Sequence, residues 1–472
     1  MFIGRENELA LLQDLYSSKS FEFLVLYGRR RVGKTSLLSE FSKNKNAIFF
    51  SAQEKNDSLN LSDFSKAVQT HIDGSSYGAF DGWESAFEYV GNHIGDERLL
   101  LIIDEFPFIA ATNASVKSIL QHIIDRSWKS KNIFLILCGS SVSFMEKEIM
   151  GYKSPLYGRS TAQLELLPFD YLDSARFFPN YSNPDRLIAY GILGGIPCYL
   201  ENFSDSRTIA ENLQNRVLRT GAFLKEEPQV LLRMELREPA VYNSIFEAIS
   251  DGASRMNDIS NKVHEESQKC SKYITTLRSI KLLDKITPVG EDESSRKTVY
   301  RISDNYFQFW YHFIFREKSY YEIIGPKKAA EEIMEPESIS NYMGNAFEQI
   351  CQQYLIRCAK AEKLPFIPHA VGKWWGNNPK KRMQDDVDIL AFDKKKTSAI
   401  FCECKFRNVL FDKSEYEDLI SASEIFTQVK DRYYYIFSKS GFSQWVLDKA
   451  NGNDHIRLIS IDDLFDPTLS MI

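Results

Sequence analysis

Two sets of residues in this chain of 472 have the types and spacing to do chemistry. The first, Gly28-Arg29-Arg30-Arg31-Val32-Gly33-Lys34-Thr35, matches GxxxxGK[ST] in full, and Ser36 follows it as a further candidate nucleotide contact. An apolar run, Phe23 to Leu26, precedes it and reads as a buried strand, and Ser36 to Phe41 opens an amphipathic helix behind it. Gly28 and Gly33 let the backbone curl until successive N–H groups face one anion, and the helix start adds its positive dipole end. Lys34 then reaches the β- and γ-phosphates of a nucleotide such as ATP, and the Thr35 hydroxyl ligates Mg2+. Further on, the aliphatic run Leu99 to Ile103 ends in Asp104-Glu105. Five aliphatics in a row mark a strand buried on both faces, as in a parallel sheet, with the carboxylates at its end beside the phosphate loop. Asp104 is expected to hold the Mg2+ shell, and Glu105 to orient or activate the attacking water.

The second set lies near the C-terminus. Glu348 falls in an expected helix, Asn345 to Cys358. Asp386-Val387-Asp388-Ile389-Leu390 alternates as a strand, so both aspartates share a face. Ile400 to Phe406 alternates too, with Glu403 and Lys405 on one face and Cys402, Cys404 and Phe406 on the other. Carboxylates on adjacent strands suit a divalent metal, Mg2+ or Mn2+, and a lysine two residues on can position or polarise a water. A solvated acidic strand face is the alternative. Lys380, Lys381, Arg382, Lys394, Lys395, Lys396 and Arg407 surround the cluster in sequence, which suits a polyanionic substrate.

Both sets need a scaffold. Ile48 to Ser51 and Ile133 to Cys138 read as further strands, the latter ending in Gly139-Ser140-Ser141, either a sensor of the γ-phosphate or a simple turn. Arg159, in the loop Pro155 to Arg159, is either solvated or a positive charge offered to a γ-phosphate, in its own chain or in a neighbour's. The N-terminal Phe2 to Leu9 either packs on an adenine ring or simply begins the first helix. Residues 170–235 read as helical around Gly194-Gly195-Ile196-Pro197, and are expected to form a lid.

Three short helices follow (Val241 to Ser250, Met256 to Val263, Glu266 to Ile280), then two strands, Leu283 to Pro288 and Thr298 to Ile302, joined by a polar tip, Gly290 to Lys297. That order is a winged helix-turn-helix. Lys269, Lys272 and Arg278 on its third helix suit DNA, while packing within the protein is the other use of such a module. The aromatic stretch Tyr306 to Glu322 reads as a packing helix, and Lys327 to Ser338 as a boundary. The expected organisation is a P-loop core at 1–168, a lid at 169–237, a winged helix at 238–318, a linker at 319–338 and a last α/β domain at 339–472.

Composition narrows the class. A formal net charge of −6 argues against a protein coated in nucleic acid, but allows a local basic patch. The seven cysteines include no CxxC pair, and Cys402 and Cys404 read as core-facing thiols, which suits a reducing cytoplasm. The start MFIGRENEL carries no signal peptide, and no apolar run approaches the roughly 18 residues a membrane-spanning helix needs, so no membrane association is expected.

Taken together, FIGRENEL, YGRRRVGKT, LLLIIDEFPF, CGSS, PLYGR, GGIPCYL, and WW followed by DDVDILA and ECKF resemble the prokaryotic (archaeal-type) ATPases of the AAA+/STAND superfamily with a C-terminal DUF234 domain. The resemblance spans essentially the whole chain. It implies an ATPase that acts as a switch, and a restriction-endonuclease-like (PD-(D/E)xK) C-terminal fold. In that fold Asp388, Glu403 and Lys405 are the implied catalytic set and Glu348 an auxiliary carboxylate. That family usually has Glu where this chain has Asp386. It also favours Arg159 as the charge offered to the γ-phosphate, and a homo-oligomer is expected where that arginine serves a neighbour's nucleotide.

Overall fold

The computed structural model describes residues 2–95, 97–292, 294–295, 297–379 and 381–469. Lys380 lies outside the described residues, as do two positions of the polar tip, 293 and 296. The chain forms two compact units, Met1–Pro168 with Ile196–Cys198, and Phe169–Gly195 with Tyr199–Ile472.

The first unit is a parallel sheet of five strands: β1 (Glu22–Tyr27), β2 (Ala47–Ser51), β3 (Leu99–Asp104), β4 (Ile133–Gly139) and β5 (Ala162–Glu165), in the order β2-β3-β4-β1-β5. Every residue of β3 and β4 is buried, as unbroken aliphatic runs require when helices cover both faces. Phe64, Trp83, Phe87 and Trp128 pack as a chain of rings in the core of this unit.

The second unit carries β6 (Leu283–Ile286) and β7 (Val299–Ile302), an antiparallel pair after helices Pro239–Ser250, Met256–Val263 and Ser267–Ser279. Its main sheet has β8 (Ala370–Asn378), β9 (Met383–Phe392), β10 (Ser398–Lys405), β11 (Asp431–Ser438) and β12 (Ile456–Ser460), in the order β12-β11-β10-β9-β8. The β8–β9 and β9–β10 pairs are antiparallel, whereas β10–β11 and β11–β12 are parallel. Cys402 and Cys404 are buried, and all seven cysteines are free.

Several expectations need correction here. The segment expected as a separate lid does not stand alone: Phe169–Gly195 and the part from Tyr199 on fold into the second unit, where helix Asn183–Leu193 is buried along most of its length, while Ile196–Cys198 fall in the first. Asp170 and Asp173 pair with Arg357 of helix Pro336–Lys360, and the Tyr342 hydroxyl donates to Gly191 O at 2.8 Å. Nor is 319–338 a linker, since it folds into helices Lys318–Ile324 and Pro326–Ile333 and the start of Pro336–Lys360. Ala329, Ala330 and Ile333 are buried, because the charged residues between them occupy only the outer face. The helix bearing Glu348 starts at Pro336 rather than Asn345. The aromatic stretch is not one helix: Asn305–Phe309 widens into a π-turn over Trp310–Ile314, and a new helix begins at Lys318. The wider turn accompanies three large rings whose polar atoms each reach a different partner, Tyr306 to Leu224 O, Trp310 to Lys225 O and Tyr311 to Asn243.

Candidate functional sites

The strand order explains the first site. β4 lies between β1 and β3, so the loop after β4 emerges between the phosphate loop after β1 and the carboxylates after β3. In such sheets ligands bind at the carboxyl ends of the strands. Gly28 has φ 153°, and a Cβ there would stand 2.4 Å from Leu166 O, so only glycine lets the loop pass β5's exit. Gly33 has φ 95° and caps helix Lys34–Ser42 in a left-handed conformation. Lys34 is buried, and its Nζ donates to Gly28 O at 2.9 Å and to Arg29 O at 3.1 Å. Burial pushes its ammonium pKa down, against the pull of Cys138, Glu105 and Asp104.

The Thr35 hydroxyl donates to Asp104 Oδ2 at 2.8 Å. Glu105, in a left-handed conformation (φ 52°) at the start of helix Phe106–Thr112, accepts from Ser140 twice, from Oγ at 2.9 Å and from N at 3.2 Å. The sequence places Ser140 at a strand end. The fold makes it the anchor of Glu105. Arg5 has a role the sequence did not signal: buried, it donates to Val32 O at 3.2 Å and Leu167 O at 2.7 Å, bracing the phosphate loop from the N-terminal segment. Among the described residues Arg159 gives its hydrogen bonds to Asp125 and to Tyr157 O, and none to Asp104 or Glu105.

The second site lies on the main sheet of the second unit. Cys402 pairs with Ile389, and beyond that pair the Cys404 N–H donates to Asp388 Oδ2 at 2.9 Å. Asp388 thus stands beside Glu403, and Lys405 Nζ bonds Glu403 Oε1. Glu348 faces them from helix Pro336–Lys360. Burial first, and then the charge of Asp388, pushes the carboxyl pKa of both Glu348 and Glu403 up to about 7.

A fifth partner escaped the sequence. Lys373 of β8 bonds both Glu348 oxygens at 2.9 Å and lies 3.5 Å from Asp388 Oδ1 and 3.6 Å from Asp386 Oδ2. No motif carries it; the only signal was its place in a strand next to the aspartates. Among the described residues no three His, Cys, Asp or Glu groups converge to hold a metal ion. Two of the basic residues are also elsewhere engaged, Arg407 with Glu415 and Lys381 with Asp385 and Asp418. Lys394, Lys395 and Lys396 do not surround the carboxylates. They sit past Phe392 at the turn of the β9–β10 hairpin, four residues and so roughly 14 Å along β9 from Asp388.

A cleft of 740 Å3 opens over this cluster, bounded by Glu348, Lys373 and Asp388 on one side and by the β6–β7 hairpin on the other. The hairpin is tied down to the edge strand: Val289 N donates to Lys373 O at 2.9 Å, and Trp375 Nε1 to Lys297 O at 3.2 Å. Lys269, Lys272 and Arg278 lie on an exposed face of helix Ser267–Ser279.

The uncharacterized protein MJECL04 of Methanocaldococcus jannaschii is 31% identical over 460 residues, which are 96% of this chain and 98% of its own. The family described as an ATPase domain predominantly from Archaea matches residues 2–203, and DUF234, described as archaeal and bacterial proteins of unknown function, matches 310–419. The chain belongs to the archaeal-type ATPases with a C-terminal DUF234 region. A further relative of this archaeal-type ATPase, the uncharacterized ATP-binding protein PYRAB12000 of Pyrococcus abyssi, is 29% identical over 227 residues, 42% of this chain and 68% of its own. Among solved structures, the Walker-type ATPase PABY2304 of Pyrococcus abyssi is similar at a TM-score of 0.48 and 19% identity, covering 66% of this chain and 96% of that one. Among the described residues, no helix of the archaeal-type ATPase is long and apolar enough to cross a membrane.

Proposed function

We propose that this archaeal-type ATPase is an ATP-hydrolysing switch of the cytoplasm, whose nucleotide state governs a winged helix and a nuclease-like domain. The observation that carries the proposal is the meeting of three strand ends: Thr35 bonded to Asp104, and Glu105 held by Ser140. The backbone of Gly28 to Gly33 with Lys34 would take the phosphates. The Thr35 hydroxyl and the Asp104 carboxylate are the hard oxygen donors Mg2+ prefers, so they fit that ion, which would supply charge neutralisation at the phosphates. Glu105 is the base or the orienting group for water, and release from Ser140 frees its carboxylate to act. Lys34→Ala should lower ATP affinity markedly by calorimetry. Glu105→Gln should bind ATP as the parent does and hydrolyse it about 100-fold or more slowly. A Lys34→Ala protein that binds ATP like the parent overturns the phosphate-site assignment.

For the second unit we propose a nuclease-like fold that engages DNA, with the helix bearing Lys269, Lys272 and Arg278 as a contact face. Its exposure supports this role, whereas the hairpin packs within the unit. DNA affinity should fall with rising salt and weaken when these three are replaced by Ala. A second reading, DNA cleavage with Asp388, Glu403 and Lys405 as the catalytic set and Glu348 as auxiliary, is favoured by the juxtaposition of Asp388 and the Glu403–Lys405 pair. The residues as they stand do not fit a metal, since the Lys373 ammonium is bonded to Glu348 and lies 3.5 Å from Asp388, while Lys405 holds Glu403. Labelled single-stranded, duplex and branched DNA with Mg2+ or Mn2+, with and without ATP, tests it. Cutting abolished by Asp388→Ala supports it, and no cutting under any condition sinks it.

A further inference from the structure

The nuclease-like resemblance calls for a divalent cation among Glu348, Asp388 and Glu403, and the structure has a lysine there instead. We infer that Lys373 is the resident cation of this cluster and excludes divalent metal from it as long as its ammonium is in place. The inference rests on the nuclease-like reading of the fold.

The register of the sheet puts Lys373 there. Gly372 pairs with Leu390 and Trp374 with Val387, so the single residue Lys373 lies opposite two residues of β9, Asp388 and Ile389. Such a bulge re-aims side chains locally, and here it sets Lys373 across from Asp388. Its three N–H donors then meet carboxylates on two elements, both oxygens of Glu348 on the helix and, at ion-pair distance, Asp388 and Asp386 on β9. The backbone at this point is fixed from outside the sheet, because Lys373 O accepts the Val289 N–H of the hairpin.

Access does not account for the exclusion. The cluster lines a cleft of 740 Å3, and the Lys373 side chain is about one-third exposed, so a hydrated ion can reach it. Charge does. A divalent ion beside Glu348 and Asp388 must sit within a few ångströms of the ammonium, and like charges at that distance in a partly buried site repel strongly. Lys405, bonded to Glu403 and interacting with the charge of Asp388, adds a second positive charge to the cluster.

The test is Mn2+ binding to the full chain without nucleotide, followed by the loss of the free Mn2+ electron paramagnetic resonance signal near pH 8. The parent should show no saturable site that Asp388→Ala removes. Lys373→Met, or Lys373→Gln if the first variant folds poorly, should gain a site at least ten-fold tighter than any in the parent, and Lys373→Met with Asp388→Ala should lose it again. A folded Lys373 variant that binds Mn2+ no better than the parent overturns the inference. So does a parent site that disappears with Asp388→Ala, a result that needs no Lys373 variant. Because the readout is binding, a protein that never cuts DNA counts against the nuclease reading and leaves this inference standing.

Discussion

The charge of Glu348 should be visible in stability against pH. Its carboxyl pKa stands at about 7 in the folded protein against an ordinary 4.5, chiefly because the helix and sheet bury it and secondly because Asp388 lies close. A raised acid pKa means that the folded chain binds the proton more tightly than the unfolded one. The associated destabilisation is therefore absent below about pH 4.5, grows as pH rises, and is complete above about pH 7. The gap of about 2.5 is worth ~3 kcal/mol at 1.36 kcal/mol for each pH unit. Glu403 has the same raised value and shares Asp388 as a neighbour, so the two effects overlap rather than add in full. Glu348→Gln keeps the shape and removes the titration. Denaturant unfolding of parent and variant at several pH values between about 5 and 8, followed by far-UV circular dichroism, should show the parent losing more stability over that range, by roughly 2–3 kcal/mol. Parallel curves would refute the idea that burial and Asp388 hold this carboxyl proton.

Other outcomes follow from the first unit. Gly28→Ala drives a Cβ to 2.4 Å from Leu166 O, a backbone atom that cannot rotate away, so it should cost about 1–3 kcal/mol in thermal or denaturant unfolding and abolish ATP binding by calorimetry. Gly33→Ala has room, the nearest atom being Pro197 Cγ at 3.6 Å, and should show only the strain of its positive φ, about 1–2 kcal/mol. If Arg159 acts on a neighbour's nucleotide, it must leave Asp125; ATPase activity should then rise with protein concentration, and mixing Arg159→Ala with Lys34→Ala protein should restore turnover. Concentration-independent turnover without rescue excludes a shared arginine.

The sequence by itself determined most of the local framework of the candidate phosphate site, because that framework is contiguous in the chain. A strand, a glycine-rich turn and a helix start are contiguous, and the aliphatic run before Asp104 admits only a buried strand. It also determined that Asp386 and Asp388 share one face of their strand and Glu403 and Lys405 one face of theirs, since alternation fixes which side chains of a strand point the same way. What it could not contain is register between strands and the order of strands in a sheet. Ser140 meets Glu105 because β4 was inserted between β1 and β3, and Lys373 meets Asp388 because a bulge set one residue against two. The same limit explains the errors. The charged stretch 319–338 looks like a linker until the burial of Ala329, Ala330 and Ile333 reveals its inner face. Lys394 to Lys396 look near the carboxylates until the hairpin carries them to its far end. Only the tertiary structure decided that an ammonium, not open space, lies among the carboxylates, because long-range pairing brings together charges that no spacing along the chain records.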